Sequence, residues 1–76
     1  MSDKPEYMVA LFKSVHNVLA SEKILKEEGI PHKIIPVPKV ISSGCGVCIR
    51  FLPEYKGNID RLLQESQGLL EILTLP

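Results

Sequence analysis

Six short segments follow one another along the chain, four with a strand-like pattern and two with a helical pattern. Their order is the feature that most restricts the fold. Apolar, strand-like segments lie at 7–12, 32–37, 47–52 and 69–75, and a helical pattern separates the members of the first and last pairs. The order is therefore strand, helix, strand, strand, helix, strand. It predicts an α+β fold, a ferredoxin-like βαββαβ sandwich with one antiparallel sheet and two helices on one face.

The first helix is bounded by clear signals at both ends. Ser14 is a good N-cap, Gly29 suits the position after the last helical turn, and Pro31 stops the helix. Between these limits, the residues predicted to lie on one side and face the sheet are Val15, Val18, Leu19, Ser21 and Leu25.

The second helix is predicted to begin later and to be shorter. Residues 53–57 are interpreted as a turn, Asn58 as the N-cap and Gly68 as the residue that ends the helix. The face predicted to pack on the sheet is formed by Ile59, Leu62, Leu63 and Ser66.

The third strand alternates cleanly, which assigns its side chains to two faces. Val47, Ile49 and Phe51 are expected to face the helices, and the face opposite carries Cys48, Arg50 and Leu52. Arginine is costly to bury alone, which is why its face is assigned away from the helices. Across that exposed sheet face we expect Arg50 to pair with Glu71 or Glu54; holding an anion is the alternative. The second strand contains Pro36, which places that strand at a sheet edge.

Composition sets the class of protein. The chain has 76 residues with 9 basic and 9 acidic side chains, enough for one domain at 7–76 after a flexible lead-in at 1–6. Zero net charge argues against nucleic acid as a partner, and no segment approaches the length of a membrane span. With no signal peptide evident, a cytoplasmic location is expected. A carrier or binding module is favoured over a stand-alone enzyme, and no cofactor is predicted.

The two cysteines lie in one short loop motif, Cys45-Gly46-Val47-Cys48. The predicted topology brings the start of the first helix, with Ser14 and His16, to the same end of the sheet as this loop. A helix N-terminus or a nearby cation lowers the pKa of a thiol, and His16, Lys13 or Lys39 can supply positive charge there.

Backbone N–H groups around Cys45 suggest a second element of the site. Gly44 and Gly46 permit positive φ and leave the sulfur uncovered, so Ser43, Gly44 and Gly46 are predicted to form an anion-binding nest. Each of these residues also has a non-functional alternative. Cys45 could pack as a small apolar side chain in a tight hairpin, and Cys48 could pack within the sheet. His16 could be a surface histidine without a role. For His32, at the opposite end of the sheet, a structural role is favoured.

Disulfide and metal chemistry are alternatives for the same pair. Residues i and i+3 of an extended strand lie about 10 Å apart, so Cys45 and Cys48 can be bridged only if the chain turns at Gly46 and Val47. A metal-binding module using Cys45 and Cys48 would need further ligands, from His16 or from a second subunit.

Three stretches of the sequence resemble a family of small bacterial and archaeal proteins described as selenium/sulfur carrier-like. These are FKSVH (12–16), SEKILKEEGIP (21–31) and PKVISSGCGVCIRF (38–51). The resemblance implies a carrier whose cysteine corresponds to Cys45, with His16 at the helix start and Gly46 after the thiol. Cys48 departs from the family pattern, in which that position is commonly a small apolar residue.

Two functions from different classes follow. In the first, Cys45 carries a persulfide or perselenide from a protein donor to a protein acceptor, with His16 tuning the thiol. In the second, the protein is a noncatalytic interaction module that forms a homodimer through its open sheet face.

Overall fold

The structure is a computed structural model that describes residues 6–39, 41 and 46–75. The four strands are β1 (Met8–Phe12), β2 (His32–Pro36), β3 (Val47–Phe51) and β4 (Leu69–Thr74). The two helices are α1 (Val15–Glu27), after β1, and α2 (Lys56–Leu62), after β3. Short 3-10 segments at Pro53–Tyr55 and Glu65–Gln67 flank α2. The predicted α+β class is confirmed, and these two segments are additions to a strict βαββαβ order.

The strands form one sheet in the order β2-β3-β1-β4, and neighbouring strands are antiparallel. β3 lies between β1 and β2, as the split βαβ pattern requires. β2 is an edge strand, which accommodates Pro36 at its end. β4 is the other edge, and a bulge against β1 leaves Leu70 as the extra residue, with its side chain 55% exposed.

The sheet buries side chains on both faces. The face under the helices carries Ile49 and Phe51, as predicted, and packs against α1 and α2 through Val18, Leu25, Ile59 and Leu63. The opposite face buries a smaller cluster of Val9, Leu11 and Cys48. Because side chains are buried on both faces, β1, one of the two inner strands, is buried at all five positions.

Helix α1 begins and ends where the local signals predict. The Asn17 N–H donates to Ser14 Oγ at 3.2 Å, and the Ser14 hydroxyl donates to Asn17 Oδ1 at 2.8 Å. At the other end, Gly29 adopts φ +71°, and the Ile30 N–H donates to the Leu25 carbonyl at 3.0 Å.

The buried stripe of α1 is narrower than predicted. Val18, Ser21 and Leu25 are buried, but Val15 and Leu19 are 47% and 55% exposed, so their assignment to the packed face was wrong. At about 100° per residue, Leu19 points about 100° away from Val18 and Val15 about 80° away from Leu25. Both side chains therefore lie on the flank of the helix and not against the sheet.

Ser21 is buried in the interface between α1 and the sheet, and its hydroxyl finds no hydrogen-bond partner among the described residues. An unsatisfied hydroxyl is costly and alanine is the better helix former. We therefore expect Ser21→Ala to raise the free energy of unfolding by about 1 kcal/mol in urea denaturation. Ser14→Ala, which removes the N-cap, is the matched control and should lower it by about 1 kcal/mol. Equal losses in both variants would contradict this account.

The second helix starts earlier than predicted. Pro53 opens a 3-10 turn that continues directly into α2 at Lys56, so Asn58 lies inside the helix and is not its N-cap. Proline at the first position of a helical turn is preorganised for this role. Ile59 and Leu63 are buried as expected, and Leu62 is half-buried. The helix ends at Leu62, earlier than predicted, and Gly68, with φ +82°, instead ends the separate 3-10 segment Glu65–Gln67.

Candidate functional site

The start of α1 and the start of β3 meet at one end of the sheet, which we call the loop end. Ala10 pairs with Ile49 in antiparallel register, so the last residues of β1 lie beside Val47 at the start of β3. α1 follows β1 after only Lys13 and Ser14. The loop end therefore gathers the first turn of α1 and Gly46, as the predicted topology requires.

Gly46 has a backbone conformation that favours glycine. Its φ is +80°, and a Cβ built there would meet no atom within 4 Å. Glycine is therefore favoured at this position by the backbone conformation and not by a lack of space for a side chain. Its carbonyl accepts the Val37 N–H at 3.0 Å, which ties the end of the loop to the chain after β2. The chain therefore bends at Gly46 immediately before β3 begins at Val47.

Three of the predicted site residues, Ser43, Gly44 and Cys45, lie outside the described residues. Of the predicted nest, the structure places Gly46, which is exposed at the loop end and directly follows Cys45 in the chain. The proposed roles of these residues stay predictions.

His16 lies in the first turn of α1 and is exposed. Lys13 is exposed beside it, and its backbone N–H donates to the Gly68 carbonyl at 2.9 Å. Asn17, which caps the helix with Ser14, packs against Gly68. The first turn of α1 is thus fixed to the chain before β4, and His16 faces solvent at the loop end.

Cys48 is fully buried on the sheet face opposite the helices. It pairs with Ile35 across β2 and β3 and packs with Val9 and Leu11. His16 belongs to a helix on the other side of the sheet, so the structure does not bring these two predicted metal ligands together. Within residues 6–39, 41 and 46–75, no group of three or more His, Cys, Asp or Glu side chains is placed to hold a metal ion.

His32 lies at the opposite end of the sheet, as the predicted topology requires, and its ring contacts groups of the fold. Its Nδ1 is 2.7 Å from the Ile30 carbonyl oxygen, and its Nε2 is 3.3 Å from Glu22 Oε2. The ring therefore links β2 to α1, and its side chain is only 8% exposed.

Arg50 does not form the ion pair that the sequence predicted. Its guanidinium lies over the Tyr7 ring, 4.1 Å from the ring centroid, and no described carboxylate is within ion-pairing distance. β1 lies between the strand of Arg50 and the strand of Glu71. Arg50 pairs with Val9 of β1, whereas Glu71 pairs with Leu11, so the two residues are separated by a strand and also offset by two residues along it. The cross-strand neighbour of Arg50 on β2 is Lys33, which is not among the residues predicted from the sequence to contribute to a site.

These features define a small single-sheet α+β protein in which Gly46, the residue after Cys45, lies at the end of the sheet where the first helix begins. A family model described as "Putative Se/S carrier protein-like" matches residues 7–73. Because this match spans most of the chain, the protein belongs to that family. No match to a curated protein or to a solved structure was found. In the described part of the chain, neither helix has the length and apolar character needed to cross a membrane.

Proposed function

We propose that this protein carries sulfur or selenium on Cys45 and passes it between a donor protein and an acceptor protein. The proposal is supported by membership of the carrier-like family together with the position of Gly46, the residue next to Cys45, at the loop end beside the first turn of α1. A thiol in such a position experiences the positive end of a helix, which favours the thiolate.

The transfer is a pair of exchanges at the terminal sulfur atom. The Cys45 thiolate attacks the outer sulfur of a donor persulfide, the donor S–S bond breaks, and the donor leaves as a thiolate. Cys45 then holds a persulfide. A nucleophilic group of the acceptor attacks the outer sulfur, the new S–S bond breaks, and the Cys45 thiolate is regenerated. The sulfur atom moves without any external oxidant or reductant, and selenium follows the same sequence.

The other residues of the site assist this thiol. The backbone N–H groups of Ser43, Gly44 and Gly46 stabilise the anionic persulfide or perselenide. His16, exposed in the first turn of α1, holds or releases the proton of the Cys45 thiol. Cys48 takes no part, because it is fully buried on the sheet face opposite the helices.

Alkylation kinetics test the proposed activation of Cys45. Iodoacetamide at neutral pH should modify Cys45 several-fold faster than a model thiol, because a lowered thiol pKa raises the fraction present as thiolate. His16→Gln should slow the reaction, whereas Lys23→Gln, which changes an exposed charge further along the same helix, should not. A rate equal to that of the model thiol in the unmodified protein and in both variants would refute the activation.

A further inference from the structure

Two cations lie side by side on the sheet face opposite the helices, at the end remote from the cysteine loop. Lys33 of β2 and Arg50 of β3 are directly paired across the two strands. The alternation of β3 places Arg50 on the face of Cys48, and cross-strand partners share a face. Like charges in this arrangement destabilise a sheet unless something neutralises them.

The part of the chain that the structure describes supplies no carboxylate for either cation. The ion pairs found there are Glu22 with His32 and Asp60 with Lys56. Glu22 is therefore already engaged by the His32 ring. Lys33 is exposed and Arg50 is half-buried, so both side chains can be reached by a ligand.

The same two side chains line a concavity of about 280 Å³, together with Tyr7, Pro31 and Leu52. Tyr7 holds the guanidinium of Arg50 against its ring, which restricts the orientation of a planar group suited to oxyanions. The His32 ring also contributes to the wall, but its nitrogens are turned to Ile30 and Glu22 and offer no donor to a ligand. The concavity thus combines two positive charges with an aromatic and aliphatic wall.

We propose that this concavity binds a small organic phosphate, with the phosphate group between Lys33 and Arg50 and its apolar part against Tyr7, Pro31 and Leu52. The two cations match the double negative charge of a phosphate monoester better than the single charge of a carboxylate. The lining residues add apolar contact that inorganic phosphate cannot use. The site is independent of the carrier role, since it lies about 13 Å along β3 from Gly46, by the rise of an extended strand.

The test is a titration of the full-length ¹⁵N-labelled protein, followed by amide chemical shifts at constant ionic strength. Phenyl phosphate should give saturable shifts confined to Tyr7, Lys33, Arg50 and Leu52 and their neighbours. Inorganic phosphate and benzoate should shift the same amides but bind more weakly. Arg50→Gln and Lys33→Gln should each weaken phenyl phosphate binding roughly tenfold, as expected for the loss of one charge-assisted hydrogen bond.

Controls separate a binding role from a structural one. Lys33→Arg should retain binding, and Lys23→Gln, a charge removal on the exposed side of α1, should leave it unchanged. Without ligand, Lys33→Gln should raise or preserve the melting temperature, because it relieves repulsion with Arg50. Shifts that do not saturate, shifts equal in the protein and both Gln variants, or benzoate binding as tightly as phenyl phosphate would overturn the proposal.

Discussion

Replacing Gly68 by alanine is expected to lower the free energy of unfolding by about 2–4 kcal/mol, the sum of backbone strain and a lost helix cap. Gly68 has φ +82°, which an alanine adopts only with strain. An added Cβ would also overlap Cγ of Asn17 and lie 2.6 Å from its amide nitrogen and oxygen. Asn17 would have to leave its position, and its hydrogen bonds with Ser14 would be lost. Chemical denaturation monitored by circular dichroism measures the loss.

Gly29 provides the matched control for this prediction. Its φ is +71°, yet a Cβ there would meet no atom within 4 Å. Gly29→Ala should therefore cost only about 1 kcal/mol, the strain of the left-handed conformation. In a double-mutant cycle, Asn17→Ala should remove part of the cost of Gly68→Ala, because the overlap with Cγ disappears. Equal losses for the two glycines, or strict additivity with Asn17→Ala, would refute the proposed contact.

The contact between Gly68 and Asn17 also matters for the candidate site. Gly68 accepts a hydrogen bond from the Lys13 N–H and packs against Asn17, so it fixes the first turn of α1 from two sides. That turn presents His16. A loss of this support should therefore disturb the surroundings of Cys45 in addition to lowering stability.

Much of the fold could be predicted because its signals are local. Ser14 and Gly29 bound α1 through hydrogen bonds and dihedral preferences that depend on a few neighbouring residues. The alternation in β3 assigns Ile49 and Cys48 to opposite faces, since successive side chains of a strand must point in opposite directions. The order of segments then leaves few ways to arrange four strands and two helices.

The errors concern properties that depend on tertiary packing. Whether Val15 and Leu19 are covered depends on how much of α1 the sheet faces, which helical periodicity does not reveal. Whether Arg50 lies close enough to Glu71 for an ion pair depends on the register of β1 against β4, where a bulge intervenes. The pairing of Lys33 with Arg50 depends on the register between β2 and β3, which the residue pattern does not reveal.

The topology predicts where the candidate site lies, and the cysteine motif predicts its chemistry. Topology brought Gly46 and the start of α1 to one end of the sheet, and this placement is observed. The alternative that joins His16 to Cys48 through a metal could not be judged from spacing. It depends on which side of the sheet each residue occupies, and the structure puts them on opposite sides.

The central claim, that Cys45 accepts a sulfur atom, is tested most directly by intact mass spectrometry. The protein is incubated with a persulfide donor under anaerobic conditions and measured before and after reductant, alongside Cys45→Ala and Cys48→Ala. Alanine is chosen at position 48 because that side chain is buried among apolar residues, where a serine hydroxyl would carry a desolvation cost.

We expect a mass gain of one or more sulfur atoms that reductant removes. It should be abolished in Cys45→Ala and retained in Cys48→Ala. Transfer from the loaded protein to an acceptor thiol should return the original mass. A reductant-sensitive gain that persists in Cys45→Ala, or no gain while a folded control carrier is loaded under the same conditions, would contradict the account.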